Sequence, residues 1–127
     1  MRNKQIVRFS IQPLIENAIK YGLEPMESGG KLILNGYIQD EDMVFIVSDN
    51  GVGIDPETYE ILQKKLSGES DEKLISNGLG IGILNINNRL KLYYGEKYGV
   101  ELKSSREMGT IAKITMPLEA PLRPKLQ

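Results

Sequence analysis

The longest uninterrupted run of apolar side chains in this 127-residue chain is Met43-Val44-Phe45-Ile46-Val47. A helix that crosses a bilayer needs ~20 such residues in a row. The chain therefore has to bury its hydrophobic surface by periodicity, one face of a short element against another, and not by continuous apolar segments. Its length is about that of one domain, enough to enclose a real core. Residues 1–119 are expected to form that single domain. The end, Ala120-Pro121-Leu122-Arg123-Pro124-Lys125-Leu126-Gln127, packs two prolines into eight residues and is expected to be a disordered tail over 120–127.

Lys plus Arg total 16 against 17 for Asp plus Glu, a net charge of -1, so there is no global basic field for nucleic acid or for an anionic membrane. Neither is expected as a partner. The chain contains no Cys and no His, which excludes disulfides, Cys/His zinc sites, thiol nucleophiles, Ser-His-Asp triads and a histidine that carries phosphate. Chemistry here must use carboxylates, amides, amines, hydroxyls and backbone. The lack of cysteine fits a reducing cytoplasm, and the polar start Met1-Arg2-Asn3-Lys4-Gln5 has no apolar core of the kind a signal peptide carries.

Ile11, Leu14, Ile15, Ala18 and Ile19 recur at helical spacing, with Gly22 and Pro25 as the stop, which predicts a helix from about Ile11 to Tyr21 with those five residues facing the core. Lys31 to Ile38 alternates, with Leu32, Leu34, Gly36 and Ile38 on one side, and Met43 to Ser48 follows after an acidic turn, so these predict a hairpin. Asp55-Pro56-Glu57 supplies an N-cap, a proline at the first helical position and an acid in the first turn, predicting a helix over Pro56 to Leu66. Ser67 to Asn77 is polar and aperiodic and reads as a mobile loop. A third helix starts at Leu79, carries Ile83, Ile86, Leu90 and Tyr93, and stops at Gly95. Val100 to Ser104 and Thr110 to Met116 predict a second hairpin. Together these give an α+β two-layer sandwich: a mixed, mainly antiparallel sheet with about three helices on one face.

Three constellations could carry chemistry. Glu16, Asn17 and Lys20 gather a carboxylate, an amide and an amine on one side of the first helix, suited to a Mg²⁺ ligand, a proton acceptor and a phosphate neighbour, though Glu and Lys four apart also make an everyday solvent pair. Asp49-Asn50-Gly51-Val52-Gly53-Ile54 follows a strand; Asp49 can accept from an amino group, and glycines let a flat ligand approach, but a plain Asp-Asn-Gly turn fits equally well. It is not a dinucleotide fingerprint, because Pro56 stands at the third glycine position. Asn77-Gly78-Leu79-Gly80-Ile81-Gly82 places alternate glycines at a helix mouth, where freed amides and the helix dipole suit phosphate; the alternative is a flexible loop. Met108-Gly109-Thr110 alone reads as a hairpin turn.

In this order, Glu16-Asn17, Asp49-x-Gly51-x-Gly53, Gly78-x-Gly80-x-Gly82 and Gly109-Thr110 resemble the N, G1 and G2 boxes and final Gly-Thr of the GHKL ATP-binding superfamily. Gln12-Pro13-Leu14-Ile15-Glu16-Asn17-Ala18-Ile19-Lys20 and the stretch from Gly80 to Leu90 are similar to the catalytic domain of LytS/YesM-type sensor histidine kinases, over roughly Gln5 to Pro117. The resemblance implies a Bergerat-type sandwich, the cofactors ATP and Mg²⁺, and Asn17 as the Mg²⁺ ligand. It further implies Glu16 as the acid that orients a metal-bound water or assists proton movement, with Lys20 and Tyr21 near the phosphates. Asp49 would accept from the adenine amino group beside Gly51, Gly53 and Ile54; Gly78, Leu79, Gly80, Ile81 and Gly82 would border the phosphates; Ser67 to Asn77 would form the lid; and the Thr110 hydroxyl would help hold adenine. The sequence departs from the pattern at Tyr21, where His is common, at Leu84, where a basic residue is common, and at Asn88, where an acid is common; it shows no clear F box.

The implied function is the ATP-binding part of a two-component kinase that presents the γ-phosphate to a histidine on a separate helical dimerisation domain, with a response regulator downstream. Such a cytoplasmic domain would make no membrane contact itself and would be a fragment of a membrane sensor. Two other readings compete: a GHKL ATP-driven clamp, in which Glu16 activates water, and a module that binds nucleotide without chemistry.

Overall fold

The computed structural model describes residues 11–69 and 80–118. Its first helix, α1, is α-helical across 11–17 and continues as a wider π-helical turn, Ala18–Leu23, ending at the cap residue Glu24, whose N–H reaches back to the Ile19 carbonyl at 2.8 Å. Ile11, Leu14 and Ala18 are buried as expected and Ile15 packs partly, but Ile19 is 40% exposed. The widened turn rotates less per residue than the ~100° of an α-helix. That carries Ile19 off the inward face and leaves Gly22 buried there. The helix also outlasts its expected end at Tyr21.

Strands β1, Leu32–Gln39, and β2, Asp42–Asp49, form the first hairpin through the two-residue turn Asp40-Glu41, with Asp40 at a φ of 58°. Leu32, Leu34 and Ile38 do share a face. Yet β1 is an edge strand beyond the reach of the helices, so Leu34 and Ile38 are 48% and 63% exposed. Helix α2, Pro56–Leu66, has the bounds read from the sequence: the Asp55 carboxylate accepts from the Thr58 N–H at 3.0 Å. At its far end Gly68 and Glu69 donate back to the Lys65 and Lys64 carbonyls, a Schellman closure. Helix α3, Ile81–Tyr94, starts on Gly80 and stops at Gly95. Strands β3, Gly99–Ser105, and β4, Gly109–Pro117, make the second hairpin.

The two hairpins lie side by side in the order β1-β2-β4-β3, every neighbouring pair antiparallel, so among the described residues the sheet has no parallel pair. Val47, Leu102, Ala112, Ile114 and Met116 point from the sheet into the layer made by Leu62, Ile83, Ile86 and Leu90. The α+β two-layer sandwich expected from the pattern is the fold observed. A single buried amide joins its parts. Asn87 of α3 donates to the Leu66 carbonyl at the end of α2 (3.0 Å) and accepts from the Val100 N–H at the start of β3 (2.8 Å). Among the described residues no helix is long and apolar enough to cross a membrane. The expected tail at 120–127, most of the expected lid, and Gly78 and Leu79 lie outside the described residues.

Candidate functional site

Strand register builds the site. Asp49 at the end of β2 stands opposite Thr110 at the start of β4, and Thr110 stands opposite Ser104 of β3. A carboxylate and two hydroxyls therefore form one row across the end of the sheet, on the side that faces the helices. The next row on that side is apolar: Val47 opposite Ala112, and Ala112 opposite Leu102. Above this floor the α1 residues Leu14, Asn17, Ala18, Tyr21 and Gly22 form one wall and Ile83 of α3 another, and the walls stand close together, leaving a narrow cleft of about 20 Å³. The result is a slot with an apolar floor and a polar end, the shape that suits a flat heteroaromatic ring.

Asp49 is only 6% exposed. Its Oδ1 accepts the Gly51 N–H at 2.8 Å, and the Thr110 N–H also donates to the carboxylate. Burial raises its pKa above the ordinary 3.8, against the lowering effect of those two N–H groups. The carboxylate is thus fixed by backbone on one side while the residue lines the cleft on the other. Gly22 closes over it. A Cβ there would stand 2.8 Å from Asp49 Oδ1 and 3.1 Å from its Cγ, so only glycine lets the end of α1 settle against the acid.

Of the residues anticipated from sequence, Asn17, Tyr21, Asp49, Gly53, Ile54 and Thr110 line the cleft. Gly51 does not: a Cβ on it would collide with the Gly22 backbone, and the Val52 N–H donates to the Gly22 carbonyl at 3.1 Å. That glycine is required by the approach of one loop of the protein to another, whether or not a ligand is near. Gly53 likewise packs against the Ser105 backbone. Glu16 and Lys20 sit outside the lining, Glu16 accepting from Gln12 Nε2 at 3.3 Å and the Lys20 ammonium lying 5.3 Å from the centre of the Tyr21 ring. Among the described residues no ion pair joins those two, so the anticipated three-group face does not assemble around a Glu16–Lys20 contact.

The glycines at the mouth of α3 arrive beside α1. The Gly80 N–H points to Asn17 Oδ1 at 3.4 Å, Gly80 packs on Leu62, and Gly82 lies against Pro13. Ile81 is 59% exposed. Of the departures from the family pattern, Asn88 is exposed and Leu84 packs on the core, and the attachment of α3 rests on Asn87 between them. Sequence reasoning missed Gly22, Val47, Ala112 and Ser104. Val47 and Ala112 stand two residues from Asp49 and Thr110, and the strand period of two could have found them.

Asn17 lines the cleft with a single amide oxygen in its side chain, which accepts the Gly80 N–H at 3.4 Å and keeps a second lone pair, and among the described residues no cluster of three or more acidic, His or Cys side chains could hold a metal ion. That donor set fits Mg²⁺, which keeps most of its waters and commonly reaches a protein through one or two oxygens together with nucleotide phosphates.

Residues 3–120 match the family model described as histidine kinase-, DNA gyrase B-, and HSP90-like ATPase. The chain is 34% identical over 112 residues to the sensor histidine kinase YesM of Bacillus subtilis, covering 88% of this chain and 17% of that protein. It is 32% identical to the sensor protein LytS of Oceanobacillus iheyensis, covering 85% and 18%, and 37% identical over 86 residues to the sensor histidine kinase YpdA of Escherichia coli, covering 68% and 14%. It spans less than a fifth of the length of these relatives. The histidine kinase domain of the blue-light activated histidine kinase from Erythrobacter litoralis EL346 shares the fold, with a TM-score of 0.59 at 16% identity over 89% of this chain and 43% of that one. The chain belongs to the histidine kinase-, DNA gyrase B-, and HSP90-like ATPase family.

Proposed function

We propose that this chain binds Mg·ATP in the cleft between α1, α3 and the end of the sheet, and presents the γ-phosphate to a histidine carried by a separate helical dimerisation domain. The observation that carries this reading is the buried Asp49 carboxylate, held by two backbone N–H groups at the polar end of an apolar slot. Such a group recognises the amino edge of a purine whose faces lie on Val47, Ala112 and Ile83. Gly53, Ile54 and Thr110 close the same end of the slot. Gly51 acts by letting the loop after β2 lie against Gly22.

Phosphoryl transfer depends mainly on positioning and charge neutralisation. Mg²⁺ would supply charge neutralisation at the phosphates, with Asn17 Oδ1 as its protein ligand. Tyr21 lines the cleft and the Lys20 ammonium lies 5.3 Å from the centre of its ring, from where it would neutralise phosphate charge. Gly78, Leu79, Gly80, Ile81 and Gly82 would bring backbone N–H groups to the phosphates at the start of α3, where the helix dipole favours negative charge. Glu16 stands one residue before Asn17 and would accept a proton at Oε1, the oxygen not engaged by Gln12.

The 127 residues contain no histidine, so the phosphoacceptor must come from outside them. The parent would be a membrane sensor whose phosphohistidine is read by a response regulator. The test is to incubate the chain with Mg²⁺, γ-labelled ATP and a separately supplied helical dimerisation domain bearing a histidine. Acid-labile label on that domain, absent when its histidine is replaced by glutamine, is the expected result. Release of free phosphate with no label on the domain would overturn the kinase reading in favour of an ATPase.

A further inference from the structure

Ser104 belongs to none of the glycine-rich or acidic motifs, yet its hydroxyl is the hub of the polar end of the slot. The Oγ accepts the Ile54 N–H at 2.8 Å, lies 3.1 Å from the Gly109 carbonyl oxygen, and stands 2.7 Å from Thr110 Oγ1. Three elements thereby meet on one atom: β3, which carries it, the loop after β2, and the start of β4.

A serine hydroxyl has one proton and two lone pairs. If Ser104 gave its proton to Thr110, the Gly109 carbonyl would lose this partner and only two of the three contacts would be hydrogen bonds. If Ser104 instead donates to the Gly109 carbonyl, its lone pairs accept from the Ile54 N–H and from the Thr110 hydroxyl, and all three are made. The fuller network is favoured, because each bond made in a partly buried site stabilises and each one forgone costs desolvation. In that arrangement the Thr110 proton is turned away from the cleft. Thr110 Oγ1 then offers only lone pairs to a ligand, next to the Asp49 carboxylate, which when ionised also offers only lone pairs.

We infer that Ser104 is a positioning residue that sets base specificity: by taking the Thr110 proton it makes the end of the slot a pair of acceptors, which admits a 6-amino purine and rejects a 6-oxo purine. This rests on the proposed nucleotide site. A 6-oxo group would put its oxygen against two acceptors with no proton between them. A site built to accept a hydrogen bond from the 6-position rejects a ligand that carries an acceptor there far more strongly than an apolar pocket rejects a change in size.

The test measures dissociation constants of Mg·ATP and Mg·ITP, which differ at the 6-position, for the wild type, Ser104→Ala and Ser104→Thr. With Ser104→Ala the Thr110 hydroxyl regains a proton it can turn into the cleft, and the ATP-over-ITP preference should fall ~10-fold, a change of one hydrogen bond's worth. Ser104→Thr keeps the hydroxyl and should keep the preference. Should the alanine variant not fold, Ser104→Cys fills the site with a thiol that is only a weak acceptor, and the same fall is expected. A preference unchanged in Ser104→Ala or Ser104→Cys, whatever their absolute affinities, overturns the inference while leaving the ATP site intact. A wild type that binds neither nucleotide overturns the site itself.

Discussion

Replacing Gly22 by alanine sets two effects against each other. Alanine is a better helix former than glycine by ~1 kcal/mol, so at an unconstrained helical position Gly22→Ala would stabilise the protein. Here the new Cβ would stand 2.8 Å from Asp49 Oδ1, 3.1 Å from Cγ and 3.2 Å from Oδ2. No small adjustment relieves all three contacts, because the carboxylate is also tied at 2.8 Å to the Gly51 N–H, and Gly51 itself packs on the Gly22 backbone. Overpacking of this kind costs about 1–3 kcal/mol, so net stability should fall by about 0–2 kcal/mol once the gain in helix propensity is included. Nucleotide binding should suffer more. A carboxylate displaced from its place forfeits a charge-assisted hydrogen bond of about 1.5–3 kcal/mol, a ~10–150-fold loss of affinity. Urea denaturation followed by fluorescence gives the first number and calorimetric titration with Mg·ATP the second. A variant that is more stable than the wild type and binds equally well would refute the claimed closure of α1 over Asp49.

Asn87→Ala should leave the buried Leu66 carbonyl and Val100 N–H without their partner and cost about 2–5 kcal/mol in chemical denaturation, whereas Asn88→Ala, at an exposed neighbour, should change stability by less than about 0.5 kcal/mol. Asp49 gives a pH-dependent prediction. Its pKa is raised above 3.8 in the folded protein, so the folded state holds this proton more tightly than the unfolded chain. Its contribution to stability is present below pH 3.8 and is lost as the pH rises through the folded pKa. Asp49→Asn, which carries no charge, should therefore be more stable than the wild type at neutral pH, with the difference shrinking on acidification. Thermal melts of both proteins across pH 3–7 check this, and a difference that grows toward low pH would contradict it.

What could be read from the sequence was what is written locally. The bounds of α2 follow from Asp55-Pro56 at one end and Ser67-Gly68 at the other, and both hairpins follow from alternation and turn residues. Asp49 stood out as an acid at a strand terminus, whereas Thr110, which alone reads as part of a hairpin turn, was singled out only by the family resemblance. The rest depends on contacts between distant segments. That β1 would lie at the edge, leaving Leu34 and Ile38 exposed, is a property of sheet order and not of the strand. Ile19 fits an α-helical period that the π turn interrupts. Gly22 and Asp49 are 27 residues apart and meet only when α1 docks on the sheet, and Gly51 looked like a ligand contact because its real neighbour is backbone from that same helix. Ser104 carries no motif at all; its place at the site comes from the β3–β4 register.

The central claim is that Asp49 and its slot hold ATP with Mg²⁺. Calorimetric titration of ATP into the wild type and Asp49→Asn, each with and without Mg²⁺ and with native folding verified by circular dichroism, tests it most directly. The account predicts magnesium-dependent binding by the wild type and at least ~10-fold weaker binding by Asp49→Asn. Equal binding by the two proteins, or binding by neither, would contradict it.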